Sequence, residues 1–328
     1  MRTLVDYQKF DKDLIMIGFY DWLFEEDGGI LKRYPIKTVT GNGVKYNVSA
    51  TRGGASWTQP GDTITESTGT ETQRSAAISV LVGDADVDKS QMAAQSTQSI
   101  EALEIKKKSA DVLWEWQEQF IWGQTSSTQS TSQPKGLFKL IAEVESEATA
   151  DWDALNNTQI IAGHATSAAL TIAMIDELTD QVRPAPNAYI MSRRMRRKLT
   201  GLARAAGNNL IHDKDQLGYP VVLYGGVPIY INDHIGDNLP DASSSVTALT
   251  AFDKATTRAS ANDNSAIFAV RFAEDGFTGI QTIPFSHEPI GTVQNKDAFR
   301  HRFKWYSGNA LYNKFSAAVL LNVLDTAL

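Results

Sequence analysis

Hydrophobic positions in the middle of the chain switch between helical and strand spacing. Thr171 is a good N-cap residue, and the apolar residues after it recur at a helical period until two prolines end the run: Ile172, Ile175, Leu178 and Val182, then Pro184 and Pro186. The apolar run at residues 188–191 predicts a strand. Ser192 then predicts the N-cap of a second helix ending before Gly207, whose apolar face contains Met195, Leu199, Leu202 and Ala203. The segment is typical of a packed unit of mixed helix and strand.

Two adjacent glycines mark a tight turn further along the chain. Strand-like runs at residues 221–224 and Val227–Ile231 flank Gly225 and Gly226. A two-residue hairpin turn needs positive φ, which glycine adopts without steric cost. This spacing therefore predicts a β-hairpin.

The region from residue 36 to residue 83 predicts strands around a long polar loop. Residues 36–40 and 44–48 read as one strand pair joined at Gly41-Asn42-Gly43, and residues 76–82 supply another apolar run. Between them, residues 52–74 are rich in Gly, Ser and Thr and contain Trp57. A loop of this length is unusual inside a compact domain. It needs support from elsewhere, or it is a mobile surface loop.

Residues 87–122 contain neither proline nor glycine and predict one helix of about 50 Å. Lys106, Lys107 and Lys108 are expected on its solvated side. Before this region, an apolar face predicts a short helix that ends at Asp27-Gly28-Gly29; its residues are Leu14, Ile15, Phe19, Trp22 and Leu23. After it, residues 124–134 are low in complexity and indicate a link. Further strands are predicted at 246–252, 266–272, 278–283, 299–306 and 311–324.

Composition narrows the possible classes of protein. The chain has 328 residues, no cysteine, a net charge of −7 and a pI near 5.3. It therefore has no disulfide framework and no thiolate metal site, and its charge argues against gripping nucleic acid with the whole surface. No apolar run is long enough for a signal core or a bilayer span, so a soluble chain without a membrane partner is expected.

Known catalytic motifs are missing from the sequence. There is no GxSxG, no phosphate-binding loop and no HExxH, and we predict no enzyme, no cofactor and no catalytic residue. The group that most resembles a set of metal ligands is His212 with Asp213 and Asp215, but no second histidine or cysteine completes it, so no metal is predicted. The basic run Arg193–Lys198 fans out around a helix and favours ion pairing between subunits or plain solvation over contact with DNA.

Five segments spread over the chain have distinctive amino-acid sequences. They are YPIKTVTGNGVKYNV at 34–48, GDADVDK at 83–89, PNAYIMSRRMRRKLTGLA at 186–203, GGVPIYINDHI at 225–235 and WYSGNALYNKFSAAVLLNVL at 305–324. In this order, they resemble the major capsid proteins of tailed bacteriophages with the Hong Kong 97-type fold. The order of the segments carries the resemblance, because no single one is diagnostic.

The resemblance implies an α+β fold with five parts. These are an N-terminal arm (1–33), an extended β-hairpin loop (34–84), a peripheral domain with a long spine helix (85–150), an axial domain (151–290) and a C-terminal return to the peripheral domain (291–328). Such a loop reaches over the neighbouring subunit. Subunit-interface residues expected on this basis are Trp22, Arg52, Trp57, Arg74, Arg193, Arg194 and Arg197.

The function implied is that of a structural shell subunit. Copies would self-assemble into hexamers and pentamers and form the icosahedral head of the virion, assembled in the cytoplasm of the host bacterium. Expected partners are further copies, a portal, a separate scaffolding protein, since the N-terminal arm leaves no room for a fused one, and double-stranded DNA without sequence-specific contact. Some members of the family join a loop lysine to a neighbour's asparagine, but residues 52–74 contain no lysine, so no such crosslink is predicted.

Two alternatives remain open from the sequence. An encapsulin-type nanocompartment shell shares the fold and encloses an enzyme, and a binding pocket for a cargo peptide would favour it. A soluble α/β enzyme with an unfamiliar site would instead be a monomer or small oligomer with a deep pocket that gathers titratable residues.

Overall fold

The computed structural model describes residues 30–94, 100–125, 132–152, 157–163, 168–207, 211–214, 220–236 and 264–324. Trp22 with the predicted N-terminal helix, the predicted strand at 246–252, and Asp215 lie outside these residues. The described chain contains a large sheet, a four-stranded sheet, a long two-stranded hairpin and six α-helices.

The elements of the first half are α1 (Ile30–Arg33), β1 (Ile36–Thr38), β2 (Gly43–Thr51), β3 (Thr70–Ala77), β4 (Ser79–Asp88), α2 (Lys89–Ala94), α3 (Ile100–Trp122) and α4 (Leu137–Ala142). Those of the middle are β5 (Ile160–Ala162), β6 (Ala168–Ala169), α5 (Ile172–Gln181), β7 (Ala188–Met191), α6 (Arg193–Ala205), β8 (Ile211–Lys214), β9 (Pro220–Tyr224) and β10 (Val227–Ile231). The last are β11 (Asn264–Val270), β12 (Phe277–Thr292), β13 (Ala298–Leu311), a 3₁₀ turn at Lys314–Ser316, and β14 (Ala317–Leu324).

The large sheet has the strand order β5-β14-β11-β7-β10-β9-β8, with β6 also paired to β14. Successive side chains of a strand point to opposite faces, and both faces are buried here. One face packs with α5 and α6 and includes Tyr189, Met191, Ile267 and Leu320. The other face packs with α3 and α4 and includes Ala188, Ile190, Phe268 and Val319. The continuous apolar runs of β7, β11 and β14 follow from this double burial.

The four-stranded sheet, called the small sheet below, has the order β1-β12-β13-β4 and lies against α3. An aromatic cluster joins it to the helix: the ring centroids of Tyr34 and Phe120 are 5.1 Å apart, and those of Trp116 and Trp305 are 5.2 Å apart. The hydroxyl of Tyr34 donates to Oδ1 of Asn309 at 2.7 Å, which satisfies both buried groups. The predicted domain limits stay a prediction; β12 crosses the limit expected at residue 290.

Local predictions in the middle of the chain are confirmed. The helix α5 follows Thr171, although the Thr171 side chain makes no capping hydrogen bond. The Ser192 hydroxyl accepts from the backbone N–H of Met195 at 3.3 Å and caps α6. The strands β9 and β10 form the predicted hairpin, with φ of +56° at Gly225 and +82° at Gly226.

The predicted pairing of residues 36–40 with 44–48 is wrong. The strand β1 instead pairs in parallel with β12, Ile36 opposite Gly279, and β2 pairs with β3. Gly43 shows why the chain turns away: its φ is +152°, and a Cβ there would lie 2.4 Å from the carbonyl oxygen of Ala76. The apolar run at 76–82 is likewise divided between β3 and β4 at Ile78.

The predicted single helix over 87–122 is also corrected. Val87 belongs to β4, where it alternates with the aspartates and is fully buried, and the long helix α3 covers 23 residues, or about 34 Å. Two lysines expected on solvated faces are buried: Lys107 is 9% exposed and Lys198 is 7% exposed. Their long aliphatic stems allow this burial within otherwise polar runs.

Candidate assembly surfaces

The hairpin of β2 and β3, with the loop 52–69 between them, is called the arm below. Residues 51–73 are exposed without interruption, so the outer arm packs against nothing within the part of the chain that the structure describes. Trp57 is 104% exposed and Ile64 is 78% exposed. A tryptophan fully in water is costly, because burying an aromatic side chain gains roughly 2–3 kcal/mol. The arm therefore presents surface that no described residue of the same chain covers.

The tip of the arm is organised by its own hydrogen bonds. Pro60 and Gly61 occupy the centre of a turn in which the N–H of Asp62 donates to the Gln59 carbonyl at 3.1 Å and φ of Gly61 is +103°. This is the pattern of a type II turn. The N–H of Gly54 also donates to the Ser67 hydroxyl at 2.9 Å, which ties the two sides of the loop together. Trp57 is thus presented from an ordered loop.

A polar anchor fixes the root of the arm to its own subunit. The guanidinium of Arg74, 8% exposed, donates to the Val144 carbonyl, and the Ser75 hydroxyl donates to Glu147 at 2.9 Å. Lys135 bridges Glu147 at 3.0 Å and Glu143 at 2.8 Å. Burial acts to lower the pKa of Lys135, but these two carboxylates outweigh it and leave the pKa raised. The anchor holds the direction in which the arm leaves the molecule.

Arg74 is therefore engaged within its own chain, and its place in a subunit interface stays a prediction. Arg52, by contrast, is exposed at the start of the loop.

Beside the anchor, the rings of Tyr46 and Tyr312 lie 4.9 Å apart, and burial raises the pKa of Tyr46 to about 12. This apolar contact supports the root on its other side.

The outer face of the small sheet carries a ladder of ion pairs. Two of them are bidentate, Arg302 with Asp84 and Arg300 with Asp86, each with N–O distances of 2.7 and 2.8 Å. Lys304 adds a contact of 2.6 Å to Glu288. The hydrogen bonds from the arginines hold the pKa of both aspartates below the ordinary value. The charges within each pair cancel, so the three pairs add no net charge to this face.

An apolar patch continues this face at one end. Val80 is 58% exposed and Val82 is 46% exposed, and they lie opposite Tyr306 and Lys304 of β13. We call Val80, Val82 and Tyr306 the valine patch. All large apolar side chains that are exposed in the described chain lie on the arm or the small sheet, namely Trp57, Ile64, Val80, Val82, Phe285, Ile290 and Phe299. The unburied apolar surface is thus confined to two places.

The basic helix α6 is more engaged than its sequence indicates. Arg193 forms a bidentate pair with Asp233 at 2.7 and 2.8 Å, while Arg197 is exposed and Arg194 is half-buried. The opposite side of the helix packs into the core through Met195 and Leu199. The interface role expected for these arginines remains a prediction.

The described residues contain neither a metal-binding group nor a membrane-spanning helix. Among those the structure describes, no three side chains of His, Cys, Asp or Glu form a group that could hold a metal ion. His212 and Asp213 lie on the strand β8. No helix in the described ranges has the length and apolar content needed to cross a bilayer.

The described chain thus combines an arm that bears an exposed tryptophan with a small sheet that bears exposed valines. The chain belongs to the Phage capsid family, whose family model matches residues 22–283. It is therefore a structural capsid protein. No curated protein sequence matches the chain.

Solved structures that resemble the chain have the same fold. The holo-SrpI encapsulin complex from Synechococcus elongatus PCC 7942 is 13% identical, with 92% of this chain and 90% of that chain covered and a TM-score of 0.64. The capsid of a native GTA particle is 14% identical, with 90% of each chain covered and a TM-score of 0.62. Mycobacterium phage Adephagia is 13% identical, with 91% and 90% covered and a TM-score of 0.56. The predicted α+β class and Hong Kong 97-type fold are confirmed.

The valine patch and the anchor were not found from the sequence. Val80 and Val82 alternate with buried positions of β4, a signal that a period-two reading of residues 79–88 could have shown. The anchor gave no such signal, because Arg74 and Ser75 lie 70 and 72 positions before their partners Val144 and Glu147.

Proposed function

We propose that copies of this chain form hexamers and pentamers that close into an icosahedral shell around phage DNA, without a catalytic role. The observation that carries this proposal is the arm, whose outer part is exposed over residues 51–73 and bears Trp57. Family membership supports the same conclusion. The shell would be the virion head, assembled in the bacterial cytoplasm with a portal and a separate scaffolding protein.

The arm of one copy docks on the valine patch of the next copy in this proposal. In this contact Trp57 and Ile64 of the arm cover Val80 and Val82, and each copy both gives and receives an arm. Such a head-to-tail contact between different surfaces generates a closed ring when the rotation between copies closes. Trp57 is the anchor, because aromatic side chains that fill a neighbour's pocket dominate interface energies.

Electron microscopy and light scattering of the purified protein test this function. Wild type should form rings, tubes or shells, whereas Trp57→Ala should dissociate or fail to assemble, because the main apolar anchor is lost. Trp57→Tyr is the matched control, since it keeps an aromatic ring, and it should assemble. A wild-type chain that stays monomeric at high concentration, with and without a candidate scaffolding protein, would contradict the proposal.

The encapsulin-type shell is a second candidate, favoured by the similarity in fold to the SrpI encapsulin complex. The two functions differ in what the shell encloses. Protein that copurifies inside the particles, together with a neighbouring gene for that protein, would favour the encapsulin. DNA protected from nuclease inside particles from infected cells would favour the virion head.

A further inference from the structure

Two histidines meet on the inner side of the small sheet. Nε2 of His287 on β12 lies 3.1 Å from Nδ1 of His301 on β13, and the two rings are stacked with centroids 5.2 Å apart. The other ring nitrogen of His301 faces Oε1 of Glu101, in the first turn of α3, at 3.1 Å. His301 is 6% exposed, whereas His287 is exposed. His287 thus contacts His301, whose Nε2 lies near Glu101 at the start of α3 without forming a hydrogen bond to it.

Among the described strands, the outer part of β12 is paired on one side only. The strand β1 pairs with β12 only at residues 279–281, so beyond them β12 pairs only with β13 among the described strands. Its register to β13 is interrupted between Ile283 and Ser286 and between Pro289 and Gly291. Most residues of 284–292 are exposed. The histidine pair is one of the side-chain contacts that hold this segment to β13, beside the Lys304–Glu288 ion pair and the stacked rings of Phe285 and Phe303.

The hydrogen bond between the two rings depends on the number of protons they share. With both rings neutral, the Nε2–H of His287 donates to Nδ1 of His301 and the remaining N–H of His301 faces Glu101. One added proton keeps this hydrogen bond. His301 is then charged beside the Glu101 carboxylate, and its Nδ1–H donates to the neutral Nε2 of His287. A second added proton places N–H groups on both facing nitrogens and two like charges about 3 Å apart, which breaks the contact.

Charged groups of the described residues near the pair lie on α3, α2 and the strands of the small sheet. On α3 the groups on the helix face of Glu101 are Glu104 and Lys108, at i+3 and i+7. Lys89 of α2 is paired with Asp297 at 2.9 Å and lies over the ring of Phe299. The paired residues Asp84, Asp86, Glu288, Arg300 and Arg302 lie on the opposite face, because side chains alternate along β4, β12 and β13.

We propose that His287 and His301 form a proton-controlled latch that holds the outer part of β12 to α3 near neutral pH and releases it in acid. Release requires a proton on both rings, and the charge of the first opposes the second, so release is expected only in acid. Phe285 and Ile290 of the released segment are already exposed and would shift with it. Any effect on shell contacts rests on the proposed function, but the latch itself does not.

Hydrogen exchange of the full-length protein tests the latch. Peptides covering residues 283–292 are followed at pH 7.5 and pH 5.0 in EDTA, with rates scaled for intrinsic exchange and the oligomeric state matched by sizing. Wild type should exchange about tenfold faster in this segment at pH 5.0, as expected for loss of a charge-assisted hydrogen bond. Peptides of the buried strand β11 serve as the internal reference.

His287→Gln should abolish the acid response, because a glutamine amide can donate to His301 or accept from it but carries no charge. Glu288→Gln is the control on the same strand and should keep the response. No acceleration in wild type, or equal acceleration in His287→Gln, would overturn the latch. If His287→Gln does not fold, Glu101→Gln provides the test. Without the carboxylate, the faster exchange of residues 283–292 should begin at a lower pH than in wild type. Faster exchange that begins at the same pH as in wild type would reject the proposal.

Discussion

Arg74 is a residue whose role is fixed by burial. Its guanidinium donates to the Val144 carbonyl at the root of the arm, and only 8% of the residue is exposed. Arg74→Ala should lower the free energy of unfolding by about 1–3 kcal/mol, because a buried acceptor loses its donor. Urea unfolding at one fixed protein concentration measures this. Arg52→Ala, at an exposed position of the same arm, should change stability by less than about 0.5 kcal/mol; equal losses in both variants would contradict the anchor.

Asp84 and Asp86 make the small sheet sensitive to strong acid. Their pKa values are lowered by hydrogen bonds from Arg302 and Arg300, so the stabilisation is present above the ordinary aspartate pKa of about 3.9 and is lost as pH falls through the lower folded values. The variant Asp84→Asn/Asp86→Asn should be less stable than wild type at pH 7 and should converge with it in acid. Thermal unfolding between pH 7 and pH 2 checks this. Glu66→Gln, on the exposed tip loop, should be about as stable as wild type at both pH 7 and pH 2. If the stability difference between wild type and the aspartate variant is the same at every pH, the ion pairs are not its cause.

At the scale of elements, the sequence predicted a helix or strand correctly where the residues that determine it are close together in the chain. The strand β7, the helix α6 and the hairpin of β9 and β10 follow from a period, a cap and two glycines, all within a few residues. The strand β1 was misassigned because its partner, residues 279–281, lies about 240 positions away. Val87 was assigned to a helix because its neighbours lack proline and glycine, although its burial alternates with the aspartates. The arm was expected from the resemblance, whereas its anchor is set by tertiary contacts.

The hairpin turn at Gly225-Gly226 gives a prediction at this scale. A Cβ at Gly226 would meet nothing within 4 Å, so only its φ of +82° opposes a side chain. Gly226→Ala should therefore cost about 1–2 kcal/mol of unfolding free energy through backbone strain alone. Gly226→Asn should cost less, because asparagine tolerates this conformation. Chemical unfolding of both variants makes the comparison, and an alanine variant as stable as wild type would disprove a strained turn.

At the scale of the whole molecule, the described chain buries its apolar residues on the two faces of the large sheet and in a smaller cluster at the root of the arm. Its exposed large apolar side chains lie on the arm and the small sheet, and no described residue covers the outer arm. In the proposed assembly a neighbouring copy supplies that surface, since every copy carries both parts. Repetition of this contact around a ring would then hold many copies together.

The pairing of arm and valine patch can be tested covalently because the chain contains no cysteine. Residues 52–74 contain no lysine, so wild-type particles boiled in denaturing detergent should release monomers, and any ladder reports an engineered bond. Thr58→Cys keeps Trp57 and places a thiol beside it, and Val80→Cys places one in the patch. The double variant, assembled and then oxidised, should give a ladder of multimers on a non-reducing gel, because each copy forms one bond to each of two neighbours. Thr58→Cys with Arg204→Cys, at an exposed position of α6, should not. Ladders of equal length in both double variants, or monomers alone in the first, would show that the arm docks elsewhere.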